Sequence, residues 1–502
     1  MNKRPNIVFI QSDDQGAWAL GCAGNHEIHT PNLDALAAQG LRFENFFCAS
    51  PVCSPARASI LTGTIPSAHG VLDFLRGGNL DMDAHAYVAD DPVLRTLYKE
   101  ERGPLRYLDG YTAYTDILKR NGYATALSGK WHLGDSTVPQ NGFDRWFALV
   151  RGGCDYYKAD FAQDGIVRHI EGYVTDIITD NALKDIDELS REEAPFYVSV
   201  HYTAPHNPWG AEHHSPELLD LYKDCPFDTI PNIGIHPWQD SVFVGRGEEQ
   251  RREFLQGYFA ATTSMDQNIG RIIALLKERG LCENTLVIFT SDNGMNMGHH
   301  GIWGKGNGTF PQNLFDTSVK VPFIASWPEQ IQPGVCDALT SHYDIFPTLL
   351  DLLNLDGIET IAQPLVGQSF AGLLTGGGAE SNECVVVFDE YGPVRMIRTK
   401  RHKYIHRYPY GPHEFYDLQD DPGEECNLLD ERGVGSPEVE TLKAGLKHQM
   451  EHWFNQHAIP EFDGVKTPAN GRGQLRKAGD HAMGLPVYAE EELYYTGKKA
   501  KA

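Results

Sequence analysis

The sequence predicts an α/β protein: a mostly parallel central sheet sandwiched by helices, with a smaller C-terminal subdomain built on an antiparallel sheet. Three observations carry this. Short apolar runs alternate with amphipathic stretches, the pattern of parallel strands joined by crossover helices. Several of those runs end directly in polar clusters. From about residue 380 the texture changes to short strand-like segments separated by tight turns. The expected division is a main α/β domain over residues 1–380 and a subdomain over 381–502.

In chain order, buried strands are expected at 6–10, 123–127, 196–202, 285–290 and 321–326. Helices are expected at 33–39, 111–121, 173–189, 251–279 and 343–353. The 251–279 segment keeps apolar residues at helical spacing and stops before Gly280, a natural helix terminator. Beyond 380, short strands are expected at 385–388, 394–399 and 403–406. Asp417-Leu418 and the turn Asp420-Asp421-Pro422-Gly423 come next. The last forty residues are polar and glycine-rich and end in Lys498-Lys499-Ala500-Lys501, which suits a wrapping arm or a partly disordered tail. There is no internal repeat.

The chain has 502 residues, 41% hydrophobic and 22% charged, the balance of a globular protein with ample chain for a large core. Its formal net charge of −25 argues against a general nucleic-acid binder or a partner of anionic membranes. It leaves room for a locally basic pocket that takes an anionic small molecule. No run of 18 apolar residues suggests a membrane span. The apolar run Ile7–Ile10 is too short for a signal peptide, so a cytoplasmic location is expected, or a periplasmic or secreted one if a leader was removed. The nine cysteines are scattered, with no CxxC pair and no zinc spacing, so no disulfide framework is expected.

In open α/β sheets, ligands bind beyond the carboxyl ends of the strands. Four expected strands run into polar clusters there: Asp13-Asp14, Gly129-Lys130-Trp131-His132, Pro205-His206 and Asp292-Asn293. Asp13, Asp14, Asp292 and Asn293 together offer the oxygen ligands that a hard cation such as Ca²⁺ or Mg²⁺ prefers. Taken singly, each pair also reads as a turn former or helix cap. Lys130, His132, His206 and Lys305 form a basic set able to clamp an oxyanion and move protons, or else surface lysines and loop histidines. Cys53-Ser54-Pro55-Ala56-Arg57, leading on to Thr62-Gly63, places a cysteine at a helix N-terminus, with proline in the first turn. Unmodified, Cys53 reads as a thiolate of lowered pKa, or as a buried loop cysteine.

These residues carry a family resemblance. Cys53 to Gly63 resembles the sulfatase signature C-x-P-x-R followed by x4-T-G, in full. The other landmarks occur in order: the aspartate pair, G-K-W-H, A-P-H, S-D-N-G and a lysine in G-K-G. Tyr416-Asp417-Leu418, Asp421-Pro422, Glu424 and Asn427-Leu428 complete the likeness, which spans roughly residues 5 to 430. The chain thus resembles a type I sulfatase with an alkaline-phosphatase-like core. The resemblance implies that Cys53 becomes Cα-formylglycine, whose hydrate binds the metal and attacks sulfur. Arg57 would hold that oxygen. Lys130, His206 and Lys305 would bind sulfate, with His206, alone or together with Lys305, as proton donor to the leaving alcohol and His132 as the base that restores the aldehyde. It implies Ca²⁺ ahead of Mg²⁺, bound by Asp13, Asp14, Cys53, Asp292 and Asn293.

The expected reaction is hydrolysis of a sulfate ester of a sugar or of a small alkyl or aryl alcohol. The expected partners are an anionic sulfated substrate and a formylglycine-generating maturation enzyme, with homo-oligomerisation left open. An alternative within the fold is a phosphonate monoester or phosphodiester hydrolase, and a third is a non-catalytic binding protein. Candidate specificity elements are 73–110, 151–172 and 207–250, the last carrying Trp209, Phe227, Trp238 and Phe243, which either stack on a ring or pack their own lid. Lys320 competes with Lys305 for the G-K-G role. His300 is a further candidate to sit close to sulfate and His201 to be strand-buried; neither is counted in the core set.

Overall fold

The computed structural model describes residues 4–85, 90–99, 101–378, 382–466, 469, 471 and 473–488. Ten strands form the main sheet: β1 (Asn6–Ser12), β2 (Leu41–Phe43), β3 (Ala124–Lys130), β4 (Arg145–Leu149), β5 (Ala159–Gln163), β6 (Ile166–Ile170), β7 (Phe196–His201), β8 (Thr285–Ser291), β9 (Phe323–Ser326) and β10 (Gly334–Cys336). Their order is β10-β2-β9-β8-β1-β7-β3-β4-β5-β6. The five strands β8-β1-β7-β3-β4 are mutually parallel.

Both faces of this block are covered, which is why its strands read as unbroken apolar runs rather than alternating ones. Along β1, Ile7 and Phe9 join one buried cluster with Tyr114 and Phe346. Val8 and Ile10 join another with Ile178 and Ile269. These come from α3 (Tyr114–Arg120) and α6 (Ile345–Leu352) on one side, and from α4 (Val174–Leu189) and α5 (Gly247–Glu278) on the other. The short α1 (Pro31–Gln39) packs beside α5. Helix α5 ends where expected: Gly280, at φ +65°, comes just after its last turn and donates its N–H to the Lys277 carbonyl.

The structure corrects several expectations. The 321–326 segment is strand β9, but it runs antiparallel to β8. No long helix crosses over between Ser291 and Phe323, so the chain stays at one end of the sheet and can only return the other way. The hairpin β5–β6 adds two antiparallel edge strands that were not anticipated. Strand β3 continues to Lys130, so this lysine ends the strand itself. The helix expected at 111–121 starts at Tyr114, and the one at 343–353 begins with a 3₁₀ turn over His342–Asp344.

The C-terminal sheet has four antiparallel strands: β11 (Val385–Asp389), β12 (Val394–Arg398), β13 (His402–Arg407) and β14 (Glu414–Asp417). The fourth was not foreseen as a strand. Val385, Val387, Met396 and Ile405 join the main core. Val386, Phe388 and Ile397 meet Met450 and Phe454 of α7 (Pro437–His457). The expected boundary at residues 380 and 381, and the terminal lysines from Lys498, lie outside the described residues. The arm around Gln474 does wrap. The Gln474 carbonyl accepts from Arg76 N, its N–H donates to the Phe74 carbonyl, and its side chain is fully buried.

Candidate active site

Parallel pairing brings the four polar clusters to one edge. Ser12 sits opposite Ser291 in the β1–β8 ladder, and Gly129 opposite His201 in the β3–β7 ladder. The polar residues just beyond them therefore converge at the carboxyl ends of β1, β3, β7 and β8. Helix α2 (Cys53–Thr62) enters the same place with Cys53 at its first position, and Gly63 closes it at φ +64°.

Oxygen atoms of Asp13, Asp14 and Asp292 lie within 4.8 Å of one another, and all three side chains are buried. Three cations interleave with them. Lys130 Nζ is 2.5 Å from Asp13 Oδ2, Arg57 Nε is 2.9 Å from Asp292 Oδ2, and Lys305 Nζ is 2.6 Å from Asp14 Oδ1. Burial alone would favour neutral carboxyls, but Lys305 holds Asp14 below its ordinary value and Arg57 does the same for Asp292. Asp13 goes the other way, raised by burial and then by the charge of Asp292. Burial would likewise lower the Lys305 ammonium, yet Asp14, backed by Asp13 and Asp292, keeps it well above the usual lysine value.

Cys53 Sγ lies 2.7 Å from Lys305 Nζ and 3.4 Å from Asp13 Oδ1. The expectation of a lowered thiol pKa is overturned: burial, and then Asp13, push it up to about 12. An unmodified Cys53 is thus a protonated thiol at neutral pH. Arg57 lies one helical turn further on the same face of α2. Its Nη1 donates to the Lys130 carbonyl at 3.1 Å, which fixes the guanidinium between two strand ends.

The two histidines present different atoms. His132 Nε2 bonds the Leu75 carbonyl at 2.9 Å, so the proton sits on Nε2 and Nδ1 keeps the lone pair. Burial, with Lys130 next, holds this imidazole far below the usual histidine value, hence neutral. His206 is reversed: Nδ1 bonds the Asn207 carbonyl at 2.7 Å, and Nε2 faces Asp14 Oδ2 at 3.7 Å. Asp14 and His132 both adopt left-handed backbone, φ 61° and 57°, a conformation costing about 1–3 kcal/mol each and concentrated at functional sites.

Three buried polar atoms of this site have no hydrogen-bond partner among the described residues: Asn293 Oδ1, Arg57 Nη2 and His132 Nδ1. An orphaned buried group needs an explanation, and here, beside three buried carboxylates, a bound ligand supplies one. Asn293 Nδ2 is anchored on Asp14 Oδ1 at 2.8 Å, which leaves its carbonyl oxygen for a cation beside the three carboxylates. The oxygen-rich donor set fits a hard divalent ion.

The site opens into a cavity of about 740 Å³ whose lining includes Cys53, His132, His206 and Lys305. Every residue expected at the site is therefore brought together. Lys320 is not: it sits beside Asp316 and Arg398, away from Cys53. His300 stacks on Phe315 at 3.8 Å, not at the site. His201 is strand-buried, bridging the Ser199 hydroxyl and the Lys130 carbonyl. Trp209 and Phe243 line the cavity, whereas Phe227 packs on Phe259 and Trp238 under Arg407. The candidate segments 73–110 and 151–172 do reach the cavity, through Phe74 to Gly77 and Arg151 to Gly153, but sequence reasoning did not single out Leu75, Arg151 or Gly152 within them.

Residues 5–355 match the Sulfatase family model, and residues 298–456 match the model of the N-sulphoglucosamine sulphohydrolase C-terminal region. The chain belongs to the sulfatase family and is a sulfuric ester hydrolase. It is 32% identical over 469 residues to an ulvan-active sulfatase of Formosa agariphila, covering 89% of this chain and 80% of that protein. It is 27% identical over 534 aligned positions to an N-acetylglucosamine-6-O-sulfatase of Bacteroides thetaiotaomicron, covering 90% and 88%. A solved structure of a protein bound to its substrate D-glucosamine-2-N,6-O-disulfate superposes with a TM-score of 0.71 at 24% identity, covering 91% of this chain and 98% of that one. That likeness supports the alkaline-phosphatase-like fold.

Proposed function

We propose that this sulfatase acts on a sulfated saccharide, with a Cα-formylglycine made from Cys53 by a separate maturation enzyme and a divalent cation, Ca²⁺ ahead of Mg²⁺, held by Asp13, Asp14, Asp292 and Asn293. The observation that carries the reading is the placement of Cys53 at the first position of α2, 2.7 Å from Lys305 Nζ and 3.4 Å from Asp13 Oδ1. A buried thiol held near pKa 12 is a poor nucleophile at neutral pH, whereas a hydrated aldehyde at this position offers two hydroxyls. A cation held by these residues would supply Lewis acidity when bound.

The chain's own residues do the rest. Arg57, fixed by Asp292 and the Lys130 carbonyl, steadies the oxygen borne at position 53. Lys305, Lys130 and His206 bind the sulfate oxygens and offset charge as the S–O bond breaks. His206, with its Nδ1 proton committed to the Asn207 carbonyl, carries a second proton on Nε2 beside Asp14 and gives that one to the leaving alcohol. His132 Nδ1, neutral and unpartnered among the described residues, takes a proton from the remaining hydroxyl so that the aldehyde returns and sulfate departs. The ulvan-active and N-acetylglucosamine-6-O-sulfatase relatives support a saccharide, as does a cavity whose Phe243 is 40% exposed and suited to stack on a sugar ring.

Peptide mass spectrometry across Cys53, on protein made with a maturation enzyme, tests the reading. The expected result is the mass loss of a thiol-to-aldehyde conversion. Parallel assays on sulfate and phosphate esters of one alcohol should show the sulfate ester turned over faster. A plain thiol in an active preparation overturns the formylglycine mechanism. Faster phosphate or phosphonate turnover supports the alternative hydrolase instead.

A further inference from the structure

We propose that Arg76 and Arg151 form a second anion subsite, which selects saccharides carrying a further negative group, a second sulfate or a carboxylate, beside the sulfate that is cleaved. This rests on the sulfatase reading and deepens it. Both arginines line the same cavity as Cys53 and His132, and neither belongs to the set that surrounds Cys53. They flank the base. Arg76 comes directly after Leu75, whose carbonyl bonds His132 Nε2. Arg151 precedes Gly152, where an added Cβ would fall 2.1 Å from the same nitrogen.

Their stems are held. The Arg76 backbone N–H donates to the Gln474 carbonyl at 3.0 Å. Its side chain lies on Gly473 of the C-terminal arm, where an added Cβ would meet Arg76 Cγ at 2.1 Å and φ is already +96°. The Arg151 guanidinium lies 5.1 Å over the Tyr98 ring, and the Tyr98 hydroxyl is fixed on Asp160. Ordering a long side chain costs entropy when it must be gathered by the ligand, and these two are gathered in advance.

The nearby acids also serve the backbone. Glu101, beside Arg151, accepts from Gly78 N and Leu80 N at 2.8 and 2.6 Å. Asp73, beside Arg76, accepts from Phe74 N and Gly473 N. Around Cys53, three carboxylates already face three cations, so one sulfate and one divalent ion complete that set. Two further guanidiniums stand on the same cavity wall, and burial raises the Asp73 and Glu101 carboxyls that face them toward the neutral form, so the wall favours a second anion. The planar fork of arginine suits bidentate pairing with sulfate or carboxylate oxygens.

The test compares the mature wild type with Arg76→Ala and Arg151→Ala on a saccharide monosulfate, its disulfate, and a disaccharide monosulfate with an adjoining uronate. Each variant should lose about tenfold in kcat/KM on a doubly charged substrate, mostly through KM, the effect of one charge-assisted hydrogen bond. On the monosulfate the change should stay within about twofold, and Arg76→Lys should recover part of the loss. The arm that responds identifies the second group as sulfate or carboxylate. Parallel losses on all substrates, or a wild type indifferent to the second charge, overturn the subsite. Titration calorimetry on Cys53→Ser protein reads the same preference without turnover. Arginine-dependent binding there, in a wild type that hydrolyses no sulfate ester, would sink the sulfatase reading and keep the subsite. Charge-blind binding would sink the subsite alone.

Discussion

Lys305 and Cys53, 252 residues apart in the chain, meet with Nζ 2.7 Å from Sγ, and the same ammonium lies 2.6 Å from Asp14 Oδ1. One cation thus faces both Cys53 and a carboxylate of the proposed cation site. Replacing it by methionine keeps the stem and removes the charge. Lys305→Met is expected to lower kcat by about 10²–10³-fold, as for loss of one donor to a developing oxyanion. Steady-state kinetics on an aryl sulfate checks this, with circular dichroism confirming an unchanged fold. A kcat within a few-fold of wild type would remove Lys305 from the reaction.

Gly152 is expected to be irreplaceable for a steric reason. An added Cβ would sit 2.1 Å from His132 Nε2 and 2.2 Å from Cε1. Gly152→Ala must therefore turn the imidazole, break its bond to the Leu75 carbonyl and misdirect Nδ1. A displacement of that size costs about 10²-fold in rate. The variant should carry formylglycine at the wild-type level and melt at a similar temperature, so that kcat alone reports the displaced base. A fully active Gly152→Ala protein would show that the ring moves aside without consequence.

Asp292 links the proposed cation site to Arg57. Its Oδ2 takes Arg57 Nε, and its Oδ1 accepts from Asp14 N and Asn293 N. Asp292→Asn leaves Arg57 buried without its counter-charge, which costs about 3–5 kcal/mol, and removes an anionic ligand. Chelated wild-type protein should gain about 2.7 kcal/mol when Ca²⁺ reaches a hundredfold excess over its Kd, seen as a rise in Tm. The Asp292→Asn protein should melt lower and gain nothing from the ion. Equal calcium responses in both would place the cation elsewhere.

Much of this was legible because parallel strands buried on both faces write themselves as apolar runs, and each run leads straight into the polar residues at its carboxyl end. Ile7–Ile10 runs into Asp13-Asp14, and the β8 run into Asp292-Asn293, so the cation carboxylates pair up in the sequence alone. Pro55 and Gly63 likewise bounded α2 around Cys53. The edge hairpin β5–β6 was not legible, since Asp160, Arg168 and His169 interrupt its apolar pattern. Nor was the reversal of β9, because strand direction depends on the connection and not on the strand. The contacts that orient His132 come from Leu75 and Gly152, whose carbonyl and missing side chain leave no chemical signal in the sequence. The Cys53 thiol was misjudged for a related reason. A helix N-terminus lowers a thiol pKa, but burial beside Asp13 outweighs it, and burial depth is a property of the packed whole.

The clasp of the C-terminal arm gives a pH prediction. Asp73 is 1% exposed and accepts from Phe74 N at 2.8 Å and from Gly473 N at 3.2 Å. Burial raises its carboxyl to about 7, against backbone donors and Arg76, which lower it. Asp389 and Tyr488 also face it, and burial raises both of these groups well above their ordinary values. A carboxyl raised in the folded state contributes stability that is fully present below its unfolded pKa near 3.8 and is lost as pH rises through 7. The arm should therefore be held more firmly at pH 5 than at pH 8. Amide exchange at Gly473 and Gln474, corrected for the intrinsic pH dependence, should show protection falling across that interval. Asp73→Asn, which stays neutral throughout, should flatten the profile. A wild-type profile that is already flat between pH 5 and 8 would mean that Asp73 does not titrate there.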